Sequence, residues 1–249
     1  MSDKLVALVT GANQGIGLQI AKDLTAHGFT VLVGSRSFEK GEGAAKSIGT
    51  DAHALQLDVT DAASVAEAAE RIRTEFGRLD VLINNAGISH AGKPGMPLSE
   101  AAKSGMLTTA SLDDVRAVFE TNVFGIIAVT QAMLPLLREA PAARIVTVGS
   151  TAGSLTWNSD PTNEHRAMFG TYSASKTASH AVTLAFAFAL ESEGIKVSIA
   201  CPGFTSTALN NFAGTRTVEQ GAREAVRLAL LGADGPTGTF SDEDGPVAW

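Results

Sequence analysis

Short, nearly continuous apolar runs alternate along the chain with stretches whose apolar residues recur every three or four positions. The runs at 5–9, 30–33, 54–57, 81–83, 145–148 and 197–200 lack the in–out alternation of a half-exposed strand. They suit strands buried on both faces, as in a parallel sheet covered by helices. The stretches at 16–26, 39–47, 62–76, 112–137, 173–193 and 218–230 carry helical periodicity. After the last of these, Gly235-Pro-Thr-Gly-Thr-Phe240 predicts a final strand. Strand and helix in turn imply an α/β fold, doubly wound on a parallel sheet of seven strands. No linker, repeat or low-complexity tract interrupts the pattern, so residues 1–249 read as one domain.

Two segments break the rhythm. Residues 89–109 are rich in Gly, Pro, Ser and Lys and follow the fourth strand; residues 155–169 are polar and irregular and follow the fifth. Loops at the carboxyl ends of strands border the ligand crevice of an open α/β sheet. Inert surface insertion is the other reading.

Composition narrows the function. The chain is 45% hydrophobic and 18% charged, enough for a sizeable core, and its net charge of −7 argues against a nucleic-acid partner. Cys201 stands alone, so no internal disulfide forms, and the five histidines are scattered, so no metal site is expected. The N-terminus has no signal-peptide pattern, and the best uncharged apolar stretch, 123–137, contains Pro135 and is too short to span a membrane. The expectation is a soluble cytoplasmic protein without a membrane partner.

The first strand ends in Thr10-Gly11-Ala12-Asn13-Gln14-Gly15-Ile16-Gly17. Gly11 can turn tightly, Gly15 lets backbone approach a pyrophosphate, and Gly17 permits close helix–strand packing. The helix that follows presents its N-terminus to the anion. The cradle, with Asn13, Gln14 and Ile16, suits the Rossmann type of dinucleotide-binding fold, although a structural turn has the same composition. The second strand ends in Ser35-Arg36, where an NAD-binding protein would place a carboxylate. A guanidinium binds a ribose 2′-phosphate instead, which favours NADP(H) over NAD(H). Glu39 is a rival for the ribose. Asp58, beside Val59, could accept from the adenine amino group or serve as a loop carboxylate.

Tyr172 and Lys176 lie one helical turn apart. An ammonium near a phenol favours the ionised form, and the pair can move a proton. The same spacing also occurs on ordinary helix surfaces.

Taken in order, Thr10-Gly-x-x-x-Gly-Ile-Gly17, Asn84-Asn85-Ala86-Gly87, Asn122, Ser150, Tyr172-x-x-x-Lys176 and Pro202-Gly203 resemble the short-chain dehydrogenase/reductase family over nearly the whole chain. The Ser150–Tyr172 gap and the tail from Gly235 to Trp249 are similar to its carbonyl-reductase-like members. The resemblance implies a tetrad. Tyr172 donates a proton to the carbonyl oxygen and Ser150 hydrogen-bonds that oxygen. Lys176 lowers the phenol pKa and holds the nicotinamide ribose, and Asn122 positions a water linking Lys176 to solvent. It also implies that Asn85, Ala86 and Gly87 lie beneath the cofactor ribose. Pro202, Gly203, Thr205 and Thr207 then meet the nicotinamide end, with Thr205 where a branched aliphatic residue is usual. The lengthened gap requires residues 158–166 to loop out, and in relatives such an insertion can occupy an oligomerisation face, so both monomer and homo-oligomer stay open. The implied activity is NADPH-dependent reduction of ketones or aldehydes. NAD(H)-dependent alcohol oxidation and a non-catalytic dinucleotide sensor are the alternatives. The expected substrate wall, from 88–96, 154–168 and 204–212 with Phe169, is apolar and aromatic.

Overall fold

The computed structural model describes residues 4–92, 100, 103–168 and 170–249. Much of the 89–109 segment, including Met96 of the expected substrate wall, lies outside the described residues, as do Phe169 and residues 1–3.

The buried runs form strands β1 (Val6–Val9), β2 (Thr30–Ser35), β3 (Ala52–Gln56), β4 (Val81–Asn84), β5 (Arg144–Val148), β6 (Lys196–Ala200) and β7 (Thr239–Asp242). They lie in the order β3-β2-β1-β4-β5-β6-β7 and all pair in parallel. Leu8 of β1 stands between Leu32 of β2 and Leu82 of β4 at the centre. The expected seven strands gain an eighth, β8 (Gly245–Pro246), which turns back antiparallel on β7. Two residues are too short to leave a hydrophobic signature, so this strand was not legible in the sequence. The change of winding between β1 and β4 opens a crevice above the carboxyl ends of the strands.

Helices α1 (Gly15–Ala26), α2 (Phe38–Ile48), α3 (Ala62–Phe76), α4 (Leu112–Leu137), α5 (Leu155–Ser159), α6 (Thr171–Leu190) and α7 (Val218–Ala229) connect the strands. Alternation along β1 assigns them to faces. Ala7 and Val9 join Ile20 and Leu24 of α1, Ala44 of α2 and Ala225 of α7 in one core. Val6 and Leu8 join Ile72 of α3, Met133 of α4 and Ala187 of α6 in the other. Side chains on both faces are therefore withdrawn from water, which is why the strands read as unbroken apolar runs.

The 112–137 stretch forms one helix, α4, of 26 residues, long and apolar enough by length and composition to cross a membrane, although Asp113, Asp114, Arg116 and Glu120 interrupt its apolar run. Its halves join through a π-helical turn, Glu120–Phe124, so the charged first turn and the apolar second half make one element. Val129, Met133, Leu136 and Leu137 face the second core, as a helix covering a sheet requires.

Leu82 has no exposed surface and touches both halves of the sheet. Leu82→Ala is expected to lower unfolding free energy by about 2–5 kcal/mol, read from the urea midpoint at unchanged slope.

Candidate functional site

The end of β1 builds an anion seat. Gly11 has φ 64°, and a Cβ there would lie 3.0 Å from the Ala86 Cα. At Gly17 a Cβ would come 2.4 Å from Asn85 Nδ2 and 2.7 Å from the Gly11 carbonyl oxygen. Both positions require glycine because the loop after β4 presses against them. Ser37, Asp61 and Thr217 cap α2, α3 and α7 with their side chains. α1 begins at Gln14 with no side-chain cap and no acidic residue in its first turn. Its first residues, Gly15 to Gly17, line the crevice with Asn13 and Gln14, and a helix start without a competing carboxylate favours an anion there.

Thr10 ties the two loops together and was not singled out as a site residue. Its Oγ1 accepts the Asn85 and Ala86 N–H groups, each at 3.0 Å. Asn85 Nδ2 donates to the Thr10 and Gly11 carbonyls at 2.8 and 3.2 Å. Position at the head of the glycine motif was the available signal. Ala86 and Gly87 complete this floor and line the crevice.

Ser35, the last residue of β2, is buried, Arg36 just beyond it is exposed, and both line the crevice. Glu39, in the first turn of α2, does not line it, whereas its neighbour Lys40 does. The helix turns Glu39 away and brings the second cation in, a choice that sequence reading missed. Asp58 and Val59 also line the crevice. Asp58 Oδ1 is engaged by the Thr60 N–H and hydroxyl at 3.0 and 2.7 Å.

The four expected catalytic residues converge although they come from three elements. Ser150 follows β5, and its hydroxyl lies beside that of Tyr172 on α6. The Ser150–Tyr172 interval reaches this geometry by folding into a 3-10 turn, α5 and a second turn at Arg166–Met168. Lys176, 6% exposed, donates to the Val148 carbonyl at 2.8 Å, and its Nζ lies 5.9 Å from the centre of the Tyr172 ring. Asn122 sits on the π turn of α4, 1% exposed. Its Oδ1 accepts the Ile88 N–H at 2.9 Å, and its Nδ2 donates to the Ile88 carbonyl at 2.8 Å and to Ser175 Oγ at 3.0 Å. A π turn at such a position re-aims a side chain that a regular helix would point elsewhere.

The protonation pattern differs from the expected one. Lys176 does not pull the Tyr172 phenol down; burial pushes it up to about 12, against the lowering effect of the Ser150 side chain. The same burial pushes the Lys176 ammonium down to about 8. Desolvation outweighs mutual attraction because Nζ is directed to a backbone carbonyl rather than to the phenolic oxygen.

The loop after β6 closes the other side. Gly203, at φ 68°, lies under the Arg216 side chain, and Thr207 meets Gly15. Pro202, Gly203, Thr205 and Thr207 all line the crevice. Thr205 turns its hydroxyl to the Pro202 carbonyl at 2.9 Å. Its N–H is held by Gly203 O at 3.0 Å, and its carbonyl accepts from Asn210 Nδ2 at 2.8 Å. Past this loop the wall is apolar: Trp157, Met168, Phe204, Leu209 and Phe212. His165 joins the wall beside Trp157, with ring centres 6.2 Å apart.

The crevice encloses about 1350 Å³. A nicotinamide dinucleotide fits its features: an uncapped helix start for the pyrophosphate, a floor crowded down to glycine, and cations where the adenosine ribose would lie. The distal end leaves hydroxyl groups beside an apolar pocket.

Comparison with known proteins agrees. The short chain dehydrogenase family model matches residues 5–217. A short-chain dehydrogenase of Penicillium roqueforti is 38% identical over 92% of this chain and 90% of its own length. Salutaridine reductase of Papaver somniferum is 31% identical over 95% of this chain and 93% of its own. The structure of that reductase superposes with a TM-score of 0.80 over 95% of this chain and 99% of the other, at 28% identity. A 3-ketoacyl-(acyl-carrier-protein) reductase from Brucella melitensis, solved with NADH, gives 0.79 at 27% identity, covering 96% of each chain.

The buried Lys176 predicts a pH signature. Its folded pKa lies below the ordinary value of 10.5, so the unfolded chain binds the extra proton between about 8 and 10.5 and stability rises with pH there. Between pH 8 and 10 wild type should gain about 2 kcal/mol of unfolding free energy relative to Lys176→Met, measured by urea titration without cofactor.

Proposed function

The chain belongs to the short-chain dehydrogenase family, and from that premise we propose that it is an NADPH-dependent carbonyl reductase, reversible toward alcohol oxidation. The observation that carries the reading is the neighbouring Ser150 and Tyr172 hydroxyls in a crevice that also presents Arg36 and Lys40. Likeness to a named reductase supports carbonyl reduction over a binding role.

NADPH, when bound, supplies the hydride that reaches the carbonyl carbon. Negative charge then grows on the carbonyl oxygen, and the chain's residues meet it. Ser150 Oγ already accepts the Ala152 N–H at 3.1 Å, so its hydrogen remains for donation. Donation to a developing oxyanion is oxyanion-type stabilisation, worth about 2.7–4 kcal/mol for a single donor. Tyr172 holds its proton at neutral pH, as any phenol does and more firmly for its burial, and it delivers that proton to the oxygen. A departing proton leaves a buried phenolate, which the nearby Lys176 ammonium then stabilises; the low Lys176 pKa suits it to pass a proton on. Asn122 has both Nδ2 hydrogens engaged, and Oδ1 keeps one lone pair for the water that links Lys176 to solvent.

Arg36 and Lys40 hold the 2′-phosphate. The apolar wall from Trp157 to Phe212 suits a ketone carrying hydrophobic or aromatic bulk.

The test is a panel of aryl and alicyclic ketones assayed with NADPH and with NADH. Tyr172→Phe is expected to lower kcat about 100- to 10,000-fold and leave the NADPH Kd within twofold. Retention of full kcat would overturn the role given to Tyr172. Replacing Arg36 and Lys40 together by alanine should raise the NADPH Kd about 10- to 100-fold in fluorescence titration and leave NADH binding nearly unchanged. An unchanged NADPH Kd would overturn the cofactor assignment.

A further inference from the structure

One buried imidazole takes no part in the chemistry above. His180 stands one turn beyond Lys176 on α6, as Lys176 stands one turn beyond Tyr172. It is 3% exposed, and its Nε2 accepts the Ser150 N–H at 3.3 Å. Two glycines make room for the ring. A Cβ on Gly149 would come 2.7 Å from Nε2, and a Cβ on Gly153 would come 2.7 Å from Cε1. Phe240 of β7 and Trp249, the last residue, close the slot with ring centres 4.5 and 6.4 Å from the imidazole. Trp249 is tied to the insertion after Ser150, its carbonyl accepting the Thr156 N–H at 2.7 Å.

We propose, building on the carbonyl-reductase reading, that His180 is a positioning residue for Ser150, and that Trp249 acts through it by closing the slot that holds the imidazole. The β5–β6 ladder ends at Val148, and Gly149 makes one further bond, to the Ala200 carbonyl. The next N–H, that of Ser150, has left the sheet at a half-buried position. Nε2 satisfies it, and a donor shielded from water without a partner would cost stability and order. The Ser150 backbone is then pinned from one side by His180, while its Oγ is pinned from the other by the Ala152 N–H. Two restraints hold the hydroxyl toward the crevice. Burial and the Lys176 charge push His180 down to about 3, so the ring is neutral at ordinary pH, with its proton on Nδ1 and its acceptor toward Ser150.

The experiment compares His180→Leu, which fills the slot without an acceptor, with His180→Gln, whose amide oxygen can replace Nε2. Two readouts are taken: kcat, KM and NADPH Kd with the best ketone of the panel, and amide hydrogen exchange at Ser150. His180→Leu should lower kcat 10- to 100-fold with NADPH Kd within twofold, and speed Ser150 exchange at least tenfold. His180→Gln should restore most of both. Wild-type kcat and exchange in His180→Leu, or equal losses in the two variants, would overturn the proposal. If His180→Leu does not fold, Trp249→Ala decides: a three- to tenfold loss of kcat with faster Ser150 exchange supports it, and unchanged values overturn it. If wild type reduces no ketone, the reductase reading fails, and Ser150 exchange in the same variants still decides the role of His180.

Discussion

The contact between the Lys176 ammonium and the Val148 carbonyl, at 2.8 Å, joins the two elements on which the site depends. Val148 is the last residue of β5, held in register between β4 and β6. Lys176 is on the second turn of α6, whose first turn carries Tyr172. A buried ammonium is costly without a partner, so the helix cannot slide along the sheet without breaking this bond. Fixing that distance also fixes Tyr172 relative to Ser150, two residues past Val148. The remaining parts are arranged around this joint: the π turn of α4 brings Asn122 beside Ser175, and the glycine floor lets the loop after β4 lie against the loop after β1.

Burial sets the chemistry of the joint. The same desolvation that raises the Tyr172 phenol lowers the Lys176 ammonium, so their affinities for the proton, nearly equal in water, are driven apart. For reduction this is the useful direction: a phenol that holds its proton until a stronger base, the developing alkoxide, appears. A phenol ionised at rest would have nothing to donate. The polar groups that a doubly wound sheet gathers at its carboxyl edge thus acquire function from partial exclusion of water.

Much of this was legible in the sequence because it is written locally. Strands buried on both faces leave unbroken apolar runs, and the glycines at 11 and 17 answer steric demands that no other residue meets. The tetrad stood out through family resemblance, since spacing alone explained Tyr172 and Lys176 equally well as helix surface. What was not legible depends on long-range contact. The π turn at Asn122 answers the Ile88 backbone, 34 residues away. Lys40 rather than Glu39 faces the crevice because of the rotation of α2. The phenol shift follows from burial, which no spacing reports. β8 carries two residues, below any pattern.

The central claim is that hydride delivered in this crevice reaches a carbonyl carbon while Tyr172 protonates the oxygen. Isotope tracing tests it most directly: NADPH deuterated at the transferable position of the nicotinamide, an apolar ketone, and NMR of the product. The account predicts one deuterium on the carbinol carbon, on a single face, and a hydroxyl hydrogen drawn from solvent. Consumption of NADPH without deuterium on that carbon would contradict it.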